Sequence, residues 1–202
     1  MNRLRTPLPR RLADLAGQRR SMRPRGAPFR APSLARAFTH AQGAGVIGPG
    51  AQRLLRTVLV DTLTRNNAQC DVIATQPDLE RLLGAASSRL PPRFASALHV
   101  TDTLEDAIEY LESKPQSSAA AGSAKQKTIL WLATPGADAD VVHQTLEAQP
   151  VADLIALFNG PWPYGPTHYI DIDGPRRLPD HNLTLLTRDQ AITRLYALAP
   201  PL

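Results

Sequence analysis

Residues 45–52, Gly45-Val46-Ile47-Gly48-Pro49-Gly50-Ala51-Gln52, set two glycines five positions apart, with a third between them, just ahead of a helically spaced run. That is the frame of a phosphate-binding loop. In such a loop glycines let backbone N–H groups approach the phosphates, a lysine reaches the β and γ oxygens, and a Ser or Thr hydroxyl holds magnesium. Ala51 and Gln52 occupy the lysine and hydroxyl positions. Ala51 offers neither charge nor a side-chain hydrogen bond, and an amide is a poor replacement for the magnesium-binding hydroxyl. The stretch therefore predicts a strand–turn–helix that keeps the frame of Gly45, Gly48 and Gly50 without the chemistry.

Outward from it, a short strand at 43–47 leads into Leu54, Leu55, Val58, Leu59 and Leu63 at helical spacing. Strand signals at 71–75, 97–100, 128–133 and 152–158 then alternate with helical ones at 78–83, 104–111 and 139–148. This is the order of a parallel α/β domain. Gly84 is placed to stop the second helix and Thr103 to cap the third. Residues 128–133 (TILWLA) are apolar on both faces, which predicts a central strand. A working nucleotide hydrolase needs an acid at the end of such a strand. Here the strand runs into Thr134-Pro135-Gly136, and the first acid is Asp138.

Beyond residue 158 a strand at 169–173 ends in Asp-Gly, a hairpin signal, with 183–186 as the expected antiparallel return. Thr187-Arg188-Asp189-Gln190 has capping-box spacing for a last helix reaching Leu198. Residues 114–126 (KPQSSAAAGSAKQ) lack periodicity and read as a flexible insertion. The fold class expected is a three-layer α/β sandwich with a mainly parallel sheet, a C-terminal β-hairpin and a helix. Gly43-Ala44-Gly45-Val46-Ile47-Gly48 also matches G-x-G-x-x-G. The segment before it is largely polar, and Asp71 stands at the wrong end of the next strand for a ribose.

Four blocks in order, GVIGPGAQRLLRTVLVDTL (45–63), DVIATQPDLERLLG (71–84), LPPRFASALHVTDTLEDAIEYLE (90–112) and LFNGPWPYGPTHYIDIDG (157–174), carry a resemblance. They resemble a region of large actinobacterial membrane proteins that also carry a LysM module and a bacterial transcriptional activator domain. The similarity covers roughly residues 43–198. It implies a degenerate relative of the P-loop NTPase fold and brings no chemistry to carry over. None of the flanking membrane, LysM or activator modules is expected in this chain.

The net charge of +5 hides an asymmetry: residues 1–40 hold ten arginines against one acid, Asp14, and the remainder thirteen basic against seventeen acidic residues. With prolines at 7, 9, 24, 28 and 32, residues 1–42 are expected to form a disordered arm that the fold does not need. Arg10, Arg11, Arg19, Arg20, Arg23 and Arg25 are its candidate contacts to DNA or an anionic membrane. A solvated extension, or a start codon assigned too far upstream, leaves the same composition. No apolar run reaches the roughly 18 residues of a membrane span and none forms a signal peptide, so a soluble, cytoplasmic protein without an integral membrane segment is expected. The single cysteine, Cys70, sits in an apolar run and reads as a buried small hydrophobe.

Other candidates are few. Asp171 and Asp173, two apart in the expected strand, would face one side as a cation site or acid pair, or mark a solvated hairpin edge. Trp162 and Tyr164, in the proline-stiffened segment 160–166, are candidate interaction anchors, with covering the end of the core as the alternative. The five histidines have no zinc-binding spacing, and no Gly-x-Ser-x-Gly elbow occurs. No catalytic residue, metal or cofactor is assigned. The expectation is a catalytically inactive, P-loop-like binding or regulatory module acting on a protein partner. The alternatives are a nucleic-acid-associated protein using the basic arm, and a nucleotide-dependent enzyme with unconventional residues.

Overall fold

Among the described residues the apolar runs resolve into seven strands in the order β3-β2-β4-β5-β1-β6-β7. They are β1 (Ala44–Ile47), β2 (Cys70–Thr75), β3 (Leu98–Thr101), β4 (Thr128–Ala133), β5 (Leu154–Asn159), β6 (Thr167–Asp171) and β7 (Gly174–Pro175). The helices are α1 (Ala51–Thr64), α2 (Gln76–Leu83), α3 (Leu104–Ser113), α4 (Ala139–Ala148) and α5 (Arg188–Ala197). The computed structural model describes residues 33–65, 70–114, 127–148, 154–175 and 183–197. Among the described residues the strands pair in parallel except β6 with β7, and one isolated antiparallel bridge joins Val46 to Gly160.

Connections from β1 through α1 to β2, and through α2 to β3, run toward one edge of the sheet. Those through α3 and α4 run back. Right-handed crossovers then place the two pairs of helices on opposite faces. Accordingly, Val72, Ala74, Leu130, Leu132 and Leu157 pack with Leu54, Leu59, Leu79, Leu83 and Leu195 of α1, α2 and α5. Ile73, Ile129, Trp131 and Phe158 pack with Ala107, Leu111, Val142 and Leu146 of α3 and α4. Each fully buried side chain of this size contributes roughly 1.5–3 kcal/mol of transfer free energy. β4, buried at every position between β2 and β5, is the central strand its sequence predicts.

The caps are local. Thr103 and Asp106 form a reciprocal capping box on α3, and Thr187 and Gln190 exchange the same pair of bonds on α5, at 3.0 and 3.3 Å. Gly84, at a φ of 64°, ends α2.

Three expectations are corrected. The arm does not extend to residue 42: Leu34–Phe38 form a 3-10 turn whose Leu34, Ala35 and Phe38 are buried in the core. The Leu34 N–H donates to Asp61 Oδ2 on α1 at 2.9 Å, and Arg36 Nη2 donates to Thr128 Oγ1 at 3.3 Å. The hairpin is closed by Gly174–Pro175, because the turn at Ile172-Asp173 returns the chain at once. Residues 183–187 form no strand, and Leu185 and Leu186 are buried there, the Leu186 N–H donating to Thr57 Oγ1 at 2.9 Å. The third concerns Asp171 and Asp173: β6 ends at Asp171 and Asp173 lies in the turn, so strand alternation does not align them. Of the insertion 114–126, Lys114 is the C-cap of α3 and pairs with Asp71 at 3.6 Å. Residues 115–126, like residues 1–32 with the arm arginines named above, lie outside the described residues.

Candidate functional site

The turn Gly48-Pro49-Gly50 joins β1 directly to α1, a strand and a helix in the expected order. Its filling is different. Gly45 lies inside β1, paired with Phe158 and Thr167, where a Cβ would stand 2.6 Å from the Gly160 carbonyl and 2.8 Å from Trp162. Gly48 turns the chain at a φ of 100°, which L side chains rarely adopt. The Gly50 N–H donates to the Ile170 carbonyl at 3.0 Å, and the Ala51 N–H to the Gly48 carbonyl at 3.1 Å. A Cβ at Gly50 would lie 2.0 Å from the Asp171 carbonyl oxygen. The end of β6 therefore packs directly against the turn. Gln52 is also engaged: its Oε1 accepts from Arg56 Nη2 at 3.1 Å. The alternative dinucleotide frame, 43–48, covers β1 itself rather than a loop after it.

The carboxyl ends of β2, β4 and β5 hold a polar cluster. Adjacent strands β2 and β4 send their helices to opposite faces, so a crevice opens between their ends, the usual place for a ligand in a sheet of this kind. Thr75, the N-cap of α2, accepts from the Asp78 N–H and donates to Asp78 Oδ2 at 3.0 Å. Thr134, just past β4, gives Asp78 its hydroxyl at 2.6 Å and its backbone N–H at 3.2 Å. Arg81 pairs with Asp78 Oδ1 and donates to Thr134 Oγ1 at 2.8 Å. Asn159 Nδ2, at the end of β5, reaches the same hydroxyl at 3.4 Å.

An acid thus does stand at the end of β4, supplied by α2 rather than by the strand. Asp138, the first acid after β4 in sequence, lies exposed in a 3-10 turn. Sequence reading missed Asp78, although Thr75-Gln76-Pro77-Asp78 has capping spacing that marks it as the third residue of a helix start. Asp78 accepts four hydrogen bonds, which fills the acceptor capacity of a carboxylate and leaves no lone pair to take a substrate proton. The cleft beside it, lined by Leu55, Arg81, Leu82, Ala133 and Asn159, has room for about one water molecule.

No protein family, curated protein or solved structure matches this chain.

Trp162 is buried and Tyr164 half-buried. Trp162 is 3% exposed, its ring 4.2 Å from that of Phe158 and its Nε1 donating to the Gln42 carbonyl at 2.6 Å. Tyr164 lies flat on His143 at 3.9 Å and donates its hydroxyl to Asp140, whose acceptance of that proton, with burial and the Asp140 charge, raises the phenol above its ordinary range. Both close the α3–α4 side of the core. Cys70 is buried, and desolvation, then the charge of Asp71, pushes its thiol up to about 11. Among the described residues no group of acids, histidines and cysteine could hold a metal, and no helix is long and apolar enough to cross a membrane.

Proposed function

We propose that this chain is a catalytically inactive, P-loop-like binding or regulatory module acting through a protein partner. One observation carries the reading: the Gly48–Gly50 turn spends its Gly50 amide on the Ile170 carbonyl and packs so tightly on the end of β6 that a Cβ at Gly50 would meet the Asp171 carbonyl. Ala51 and Gln52 in place of lysine and hydroxyl point the same way, since the β and γ charges would lack both compensation and metal. At least two charge-assisted contacts are missing, each contributing on the order of 1.5–3 kcal/mol, or about ten- to a hundredfold in affinity. The resemblance of residues 43–198 to a region of large actinobacterial membrane proteins that also carry a transcriptional activator domain favours a place in a bacterial regulatory system.

The test is a calorimetric titration of the full chain with MgATP and MgGTP beside a phosphate-release assay and amide NMR. No turnover is expected, and the Gly48, Gly50 and Ala51 amides stay unmoved. Micromolar binding that shifts those amides, or turnover, overturns the reading.

A further inference from the structure

Two guanidiniums cover the C-terminal turn of α2. Arg56, 8% exposed, donates from Nε to the Leu82 carbonyl at 2.6 Å. Arg188, at the start of α5, donates from Nη2 to the preceding carbonyl, Arg81, at 3.4 Å. Acceptors on consecutive residues bring the two cations together, and Arg53 lies one turn ahead of Arg56 on α1. A helix C-terminus favours a cation through its unpaired carbonyls and dipole. That accounts for Arg56 in its buried position but not for two more cations beside it.

Burial first, and then repulsion from Arg188 and Arg53, lowers the Arg56 guanidinium from its ordinary value. Among the described residues no carboxylate pairs with any of the three, whereas Asp61, Asp71 and Asp78 are each paired with other cations. Arg56 Nη1 makes no hydrogen bond among the described residues. Gln52, by accepting from Arg56 through Oε1, keeps both donors of its Nε2.

We propose that Arg53, Arg56 and Arg188, with the Gln52 amide, form an oxyanion site between α1, α2 and α5 that takes a phosphate or pyrophosphate group. The planar fork of a guanidinium suits such an anion. The anion would supply the counter-charge that no described carboxylate gives these three arginines. The site stands beside the first turns of α1 and is independent of whether the Gly48–Gly50 turn is closed.

The experiment titrates the full chain with sodium pyrophosphate and inorganic phosphate at constant ionic strength, following the arginine Nε–Hε resonances. Saturable shifts at Arg56 and Arg188 are expected, with pyrophosphate the tighter. The double variant Arg53→Gln/Arg188→Gln should lose at least about tenfold in affinity; Arg188→Gln alone serves if the double variant folds poorly. A parallel titration with ADP separates the sources: tighter binding than pyrophosphate assigns the site to a nucleotide's phosphates, equal binding to the bare oxyanion. Shifts no larger than those caused by chloride, or binding unchanged in the double variant, overturn the proposal. Shifts of the Gly48–Ala51 amides in the same titration instead report on the turn.

Discussion

Asp78 and Thr134, 56 residues apart in the chain, are joined by two hydrogen bonds, hydroxyl to Oδ1 at 2.6 Å and backbone N–H to Oδ2 at 3.2 Å. They fasten α2 to the carboxyl end of the central strand. Asp78→Ala leaves the Thr134 N–H without its acceptor and Arg81 without its counter-ion, and we expect a loss of about 3 kcal/mol. Thr134→Val should cost about 1–2 kcal/mol. Urea unfolding with each variant checks both values. A midpoint for Asp78→Ala no lower than that of the exposed control Glu112→Ala would remove the cluster from the account of stability.

Phe38 tests where the fold begins. Its ring is buried against the core and edge-on to His168, 5.6 Å between centroids. Truncating such a side chain costs roughly 3–5 kcal/mol. Phe38→Ala should therefore lower the thermal midpoint clearly, and a chain begun at Gly43 should be less stable than one begun at Ser33. Equal midpoints for the two truncations would return residues 33–42 to the arm.

Cys70 supplies a pH test. Its thiol pKa is raised in the folded state from 9.0 to about 11, so the unfolded chain gives up this proton first as pH rises. The contribution is present below about pH 9 and lost progressively toward about pH 11, by at most about 1.4 kcal/mol per pH unit. Other groups titrate in that window, and the comparison with Cys70→Ala isolates the thiol: the variant should show the shallower decline. A thiol reagent at pH 8 should label the native chain slowly and the unfolded chain at once.

The two kinds of glycine should separate on substitution. Gly136 sits at a φ of 56° with nothing within 4 Å of a built Cβ, and Gly136→Ala should cost about 1–2 kcal/mol from backbone strain alone. Gly50→Ala must move β6 as well, with about 3 kcal/mol or more lost. Equal costs by denaturant titration would mean that the end of β6 yields easily.

Periodic segments were legible in sequence because their burial is local in pattern. Residues 128–133 are apolar at each position, and the capping residues Thr103 and Thr187 stand at their helix starts. The 3-10 turn at Leu34–Phe38 was hidden because so short a run, LARAF, next to an Arg- and Pro-rich stretch gives no period to count. The polar cluster was hidden for another reason. Asp78 reaches β4 only through the order of strands, with β2 and β4 neighbours although α3 and β3 lie between them in the chain. The closure of the glycine turn by β6 is likewise a matter of which strand lies beside β1.

The contact between Gly50 and the Ile170 carbonyl has a competitive consequence. A solute anion approaching that turn must displace a group tethered to the same polypeptide, and a short tether corresponds to a local concentration on the order of millimolar. It must also lift the end of β6, and the antiparallel β7 with it, from the sheet. On the reading proposed above, the turn carries its own antagonist in cis, and its occupancy is linked to whether the β6–β7 hairpin stays docked.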